Sequence, residues 1–222
     1  VIYTNAGAEI AVATTKAFSA QLSVAYVLSG FMAHEKGLMN SEELKNFTDE
    51  ILRLPEKIQN ALDCNTITNK LSKLIATKEH IFFIGRGIDY PLGLEGALKL
   101  KEISYIHCEG YGAGELKHGT ISLIENGTVV VAVATDDTLY GKMVSNIKEV
   151  HARGAYVIAV VKEGTKGIED VADEVIYIPT SSRYLMPSLT VIPLQLLAYH
   201  TTIERGLDVD KPRNLAKSVT VE

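Results

Sequence analysis

The sequence predicts an α/β protein, a doubly wound parallel sheet with flanking helices, preceded by a partial copy of the same domain. Three observations lead there. Residues 81–85 (IFFIG), 128–134 (TVVVAVA), 156–161 (YVIAVV) and 174–178 (EVIYI) are short, continuous runs rich in β-branched residues, as buried parallel strands are. Helical stretches separate them, and such alternation builds a parallel sheet covered on both faces. An internal repeat extends the pattern. Val1-Ile2-Tyr3 matches Val175-Ile176-Tyr177, and each is followed by a polar loop and a long apolar helix. Those helices end in Glu35-Lys36-Gly37-Leu38 and Glu204-Arg205-Gly206-Leu207. Chance likeness between two βα units of a common type is the alternative.

In chain order, residues 1–40 are expected to be the end of a first α/β domain, with Val1-Ile2-Tyr3 as a strand. Residues 17–33 are apolar but short and carry Ser19, Gln21, Ser23 and Ser29, so a buried helix fits better than a membrane span. Residues 41–78 repeat apolar side chains at three- and four-residue steps through Leu44, Phe47, Ile51 and Leu54, which predicts a helical connector. Ser41 with Glu42 and Glu43 marks a helix start, and Pro55 opens a second helix. A complete second domain is placed at 79–207. Within it, Pro91 stands in the first turn of a helix ending near Ser104. Helices are expected at 139–152, before Arg153-Gly154, and at 188–205, stopped by Gly206. Residues 208–222 form a tail in which Pro212 prevents helix continuation. Leu215, Val219 and Val221 are spaced for packing, so the tail is expected to be ordered.

Composition narrows the function. With 222 residues, 46% of them hydrophobic, the chain can bury a sizeable core. A net charge of −5 without a basic run excludes a Lys/Arg-striped nucleic-acid footprint. Cys64 and Cys108 have no metal-ligand spacing, so reduced, cytoplasmic thiols are expected, and no metal site. No signal peptide is visible.

Chemistry concentrates in residues 85–119. Offsets of four and seven bring Glu95, Lys99 and Glu102 within roughly 60° of one another on a helix. Two carboxylates flanking a lysine can serve as a proton-transfer base and its electrostatic partner; a solvated salt-bridge face is the other reading. Glu115, Lys117 and His118 follow in a Gly-rich loop, where a histidine suits proton transfer near neutral pH. Ile84-Gly85-Arg86-Gly87 stands where open α/β sheets bind ligands but is no dinucleotide fingerprint. Asp136 and Asp137 would repel a phosphate at the next helix start, so a structural role is expected there. Val12-Ala13-Thr14-Thr15-Lys16 could contact a polar ligand or cap the first long helix.

Five stretches resemble one family: EIAVATTKAF (9–18), LEGALKLKEISYIH (94–107), GELKHG (114–119), IPLQLLAYH (192–200) and PRNLAKSVTVE (212–222). The chain is similar over essentially its whole length to the C-terminal part of the glutamine–fructose-6-phosphate amidotransferases. The resemblance implies two sugar isomerase domains behind a glutaminase domain, which is absent here together with the family's Ser/Thr-rich phosphate loop. It implies synthesis of glucosamine 6-phosphate from fructose 6-phosphate and glutamine-derived ammonia, in a cytoplasmic homodimer, with no metal or organic cofactor and no membrane or nucleic-acid partner. By the same resemblance, Lys217 forms a Schiff base with the open-chain ketone. A free lysine has a pKa of about 10.4, so burial or a nearby cation must favour its neutral form. Glu102 moves a proton between C1 and C2. His118, from a neighbouring subunit, opens the ring, and Lys99 is catalytic. Val12, Thr14, Glu95 and Ala216 contact substrate. The chain alone is expected to have little activity. A non-catalytic sugar-phosphate sensor and a glutamine-independent deglycase or isomerase are the alternatives.

Overall fold

The computed structural model describes residues 1–218. Its centre is a five-stranded sheet: β1 (His80–Gly85), β2 (His107–Gly112), β3 (Val129–Val133), β4 (Tyr156–Lys162) and β5 (Glu174–Ile178). All pairings are parallel, and the order is β2-β1-β3-β4-β5. The chain leaves β1 in one direction to reach β2 and returns past it to β3, so the topological switch lies between β1 and β3.

Side chains alternate across the sheet, and each face carries its own core. Ile81, Phe83, Val129, Val131, Ile158 and Val160 pack under α4 (Asn65–Ile75), α5 (Asp89–Ser104) and α7 (Pro187–Glu204). Phe82, Ile84, Val130, Ala132, Val157 and Ala159 face α6 (Tyr140–His151), which inserts Met143, Ile147 and Val150. The four expected strands are present within one residue at either end. The second strand, HCEGYG, was not expected. It has no β-branched residue, and it forms because β1 pairs with it along its length. Its Gly110 is required by packing, since a Cβ there would lie 2.9 Å from Leu94 Cδ2 and 3.1 Å from the Leu94 backbone.

Before the sheet come α1 (Lys16–Glu35), α2 (Ser41–Leu52) and α3 (Leu54–Ala61). The α2 cap is Asn40, one residue before the expected start. Its side chain accepts from the N–H groups of Glu42 and Glu43, and Glu43 closes a capping box. Pro55 stands in the first turn of α3, as expected. The expected connector is three helices, and the last of them, α4, packs on α7 as part of the helical layer.

Two expectations fail in residues 1–40. Val1-Ile2-Tyr3 forms no strand. It is exposed and pairs with no other segment among the described residues, and a strand needs a neighbour to satisfy its backbone. The partial domain copy is therefore not seen as a βα unit; only its helix is. That helix is not buried. Tyr26 and Gly30 pack inward, whereas Val27, Leu28, Phe31 and Met32 are exposed. Among the described residues, no helix is long and apolar enough to cross a membrane.

Cys64 and Cys108 are free and buried, and burial pushes their thiols up to about 11 and about 12. They are protonated, weakly nucleophilic core residues.

The α4–α7 contact contains a buried imidazole. His200 Nε2 donates to Asn65 Oδ1 at 2.8 Å, and the Asn69 amide nitrogen lies 3.2 Å from Nδ1, so the neutral ring satisfies both partners. Burial lowers the His200 pKa below its ordinary value of 6.5. The unfolded chain then takes up the proton first, so this contribution to stability is complete above about pH 6.5 and is lost as pH falls through the folded value. We predict that the melting temperature falls from pH 7 to pH 5, and that His200→Gln flattens this part of the profile. An unchanged slope in the variant would disprove the assignment.

Candidate functional site

Helix α5 carries the first half of the site. Lys99 is only 5% exposed along its side chain, and its Nζ lies 2.6 Å from Glu102 Oε2 and 3.8 Å from Glu95 Oε1. The expected grouping of three is therefore real, and the solvated-face alternative is excluded by the burial of its central cation. Burial pushes the Glu95 carboxyl above its usual range. Lys99 pulls it down, and the Glu102 charge adds to the rise. Glu102 is the most open of the three, with a side chain 24% exposed. The arrangement gives one carboxylate at the surface, held by a buried ammonium that a second carboxylate supports from behind.

The second half comes from the two ends of the chain. After α7 the tail doubles back over the end of α5. Tyr105, left-handed at φ 63° where α5 stops, accepts from the Arg213 N–H at 2.7 Å, and the Arg213 guanidinium stacks 4.3 Å from its ring centre. The Val12 N–H donates to Asp210 O at 2.9 Å, which ties the tail to the segment before α1. Lys217 then donates to Val12 O at 3.2 Å, Thr14 Oγ1 at 3.1 Å and Glu9 Oε2 at 3.2 Å. Val12 and Thr14 thus both accept from Lys217, and Ala216 stands exposed beside it. The tail is structured through Ser218. Leu215, expected to pack, is 46% exposed, and Val219 and Val221 lie outside the described residues.

The two halves share a wall. A cavity of about 160 Å³ is lined by Ala11, Ala13 and Thr15, by Lys99 of α5, by Gln195 of α7 and by Val209. The segment 9–15 therefore turns one side to the buried lysine of α5 and the other to Lys217. A larger cavity of about 620 Å³ opens at the amino ends of β1 and β2, beside His80 and His107, and holds none of these residues.

The environment of Lys217 differs from the sequence expectation. Its side chain is 43% exposed and its charged neighbour is a carboxylate, not a cation. That carboxylate, Glu9, was not singled out. Burial alone would raise its pKa, but the Thr15 N–H and Lys217 outweigh that and hold it below the ordinary value. The signal was its place in the EIAVATTKAF stretch; a lone loop glutamate has no periodicity to mark it.

His118 ends a short 3₁₀ turn (Glu115–His118) and is exposed. Among the described residues, no hydrogen bond or ion pair joins it to the α5 carboxylates or to Lys217. Its loop is fixed by neighbours: Lys117 pairs with Glu149 at 2.6 Å, and Arg86 lies against Gly114 while donating to Asn146 at 2.7 Å. Arg86 of the Gly-Arg-Gly turn is thus committed to structure.

The crevice at the topological switch is filled from within. Asp89, 2% exposed, accepts from the N–H groups of Thr135 and Asp136 at 2.7 and 3.0 Å and from the Thr135 hydroxyl at 2.5 Å. Burial raises its pKa against those bonds. The backbone donors an anion would seek are occupied by this side chain. Asp136 caps Thr138 and pairs with Arg183 at 2.9 Å, the structural role expected of it. Among the described residues, no cluster of His, Cys, Asp or Glu is arranged to hold a metal ion.

A doubly wound parallel sheet, a lysine-centred carboxylate pair on one helix and a lysine tail tied to the segment before the first helix together define an α/β protein. The chain belongs to the SIS domain family, whose model matches residues 74–205. It is 54% identical over its full length to a glutamine–fructose-6-phosphate aminotransferase (isomerizing) of Caldanaerobacter subterraneus subsp. tengcongensis, and 50% identical to the enzyme of that name from Methanosarcina mazei. It spans 36% of the length of each. Among solved structures, it resembles the C-terminal domain of glucosamine-fructose-6-phosphate aminotransferase from Francisella tularensis, with a TM-score of 0.88 and 40% identity over 92% of this chain and 58% of that one. A glucosamine-6-phosphate deaminase from Thermotoga maritima is similar at a TM-score of 0.69 and 28% identity, over 94% of this chain and 58% of that one.

Proposed function

We propose that this chain is isomerase portion of an enzyme making glucosamine 6-phosphate from fructose 6-phosphate and glutamine-derived ammonia. The observations that carry this reading are a surface carboxylate, Glu102 on its buried Lys99, and a tail lysine docked on Val12 and Thr14. Turning a ketose into an amino aldose can use those two groups: an amine that activates the ketone carbon as an iminium, and a base that moves the proton between C1 and C2. The identity to aminotransferases of this activity supports it.

In this mechanism Lys217 attacks the open-chain ketone and water leaves; ammonia then replaces the lysine amine at C2, freeing Lys217, and the resulting iminium acidifies the C1 hydrogens. Glu102 takes a C1 proton and returns it at C2. Lys99 and Glu95 hold the base in place, and Val12, Thr14 and Ala216 line the sugar. His118 opens the ring from a neighbouring subunit of a homodimer, which accounts for its exposure here. The chain spans 36% of the length of the aminotransferases it matches, so on this reading it supplies the isomerase part of the reaction and has little turnover alone. The setting is the cytoplasm.

The test uses the full-length polypeptide. Fructose 6-phosphate with borohydride should leave a reduced hexose phosphate on Lys217, located by peptide mass spectrometry. An adduct confined to other lysines would overturn the assignment. The likeness to a glucosamine-6-phosphate deaminase favours a second reading in which the same site works without glutamine. Glutamine-dependent glucosamine 6-phosphate formation decides for the first.

A further inference from the structure

We propose that Glu9 is a catalytic residue of the Schiff-base step: it anchors the Lys217 amine and carries the amine's protons to the departing sugar oxygen. The inference rests on the proposed role of Lys217 and adds to it.

An ammonium has three N–H donors. Lys217 finds three acceptors, Val12 O, Thr14 Oγ1 and Glu9 Oε2, all 3.1–3.2 Å away. Each constrains one direction, so the cradle fixes where Nζ sits. Among the three, only Glu9 is a base. The Val12 carbonyl is a backbone amide oxygen, and the Thr14 hydroxyl can only exchange one proton for another. Glu9 is itself held in place: its side chain is 9% exposed, and its other oxygen, Oε1, accepts from the Thr15 N–H at 2.8 Å as α1 begins. A carboxylate pinned through one oxygen presents the other at a fixed distance.

The chemistry balances with the groups present. The ammonium and the ketone give an iminium and one water. Two N–H bonds break at Nζ and a C=N bond forms. The carbonyl π pair moves to oxygen, which gains two protons and leaves as water. Glu9 Oε2 accepts the first proton as the Nζ lone pair attacks the carbonyl carbon, then gives it to the resulting alkoxide. It repeats the transfer as the carbinolamine loses its oxygen. The carboxylate ends as it began, ionised, and no other reactant is consumed.

The experiment is borohydride trapping with fructose 6-phosphate, followed over time in the full-length polypeptide. Glu9→Gln keeps the shape and the hydrogen bond from Thr15 but cannot take a proton. The trapping rate on Lys217 should fall by roughly 10²–10⁴-fold, with KM for fructose 6-phosphate little changed. Glu9→Ala should fall as far, and added formate, entering the vacated space as a free carboxylate, should restore part of the rate. A structural role alone would not respond to formate. Glu9→Gln trapping at the wild-type rate, or a folded Glu9→Ala that formate leaves unchanged, overturns the role of Glu9 while the Schiff base on Lys217 stands. Failure of the wild-type protein to trap on Lys217 overturns the Schiff-base reading and this proposal with it.

Discussion

Replacing Glu102 with Gln should lower sugar isomerisation by roughly 10²–10⁴-fold, the usual worth of a positioned base, and should leave the Lys217 adduct intact. The geometry explains why the two effects separate. Glu102 Oε2 accepts from Lys99 at 2.6 Å, and a Gln oxygen can still do so, but the amide cannot take a C1 proton. Lys217 is held by Val12, Thr14 and Glu9, and among the described residues no hydrogen bond or ion pair joins any of these to Glu102. Schiff-base formation therefore survives, and the later C1-to-C2 proton transfer stalls. The variant should accumulate more trapped adduct under borohydride than the wild-type protein while producing little aldose. Wild-type turnover by folded Glu102→Gln would remove Glu102 from the mechanism.

The second large effect is on stability. Lys99→Ala should cost about 3–5 kcal/mol, because it removes one partner of a buried ion pair and leaves the others uncompensated. In a domain of this size that is about 2–4 °C of melting temperature per kcal/mol. Lys99 is 5% exposed along its side chain, and Glu95 and Glu102 both face its ammonium. Without it, two carboxylates confront each other in a partly desolvated site. Their mutual repulsion then has no cation to offset it. Thermal unfolding of the full-length polypeptide checks the size of the effect. The double variant Lys99→Met with Glu102→Gln should recover much of the loss, since it removes both members of the close pair. A Lys99→Ala protein that melts with the wild type would mean that the buried charge is not structural.

The sequence alone determined what local periodicity can encode. The four β-branched strands and the helices between them announce themselves because one buried face repeats every two or every 3.6 residues. The Glu95, Lys99 and Glu102 face is legible for the same reason: a helix fixes relative direction over seven residues, whatever surrounds it. What surrounds it decided whether that face was a solvated ladder or a site. The burial of Lys99 comes from segment 9–15 and α7 closing over α5, and no window of sequence contains all three. The strand HCEGYG exists through its pairing with β1, not through its own propensity. Conversely, Val1-Ile2-Tyr3 has strand composition and no partner among the described residues, so it stays unpaired. Asp89 reads as an ordinary helix-start residue until Thr135 and Asp136, 46 and 47 positions later, turn their N–H groups onto it. Lys217 and Glu9 stand 208 residues apart, beyond the reach of any spacing rule. The amine's neighbours were set by where the tail crosses the end of α5, and that crossing is a property of the packed chain.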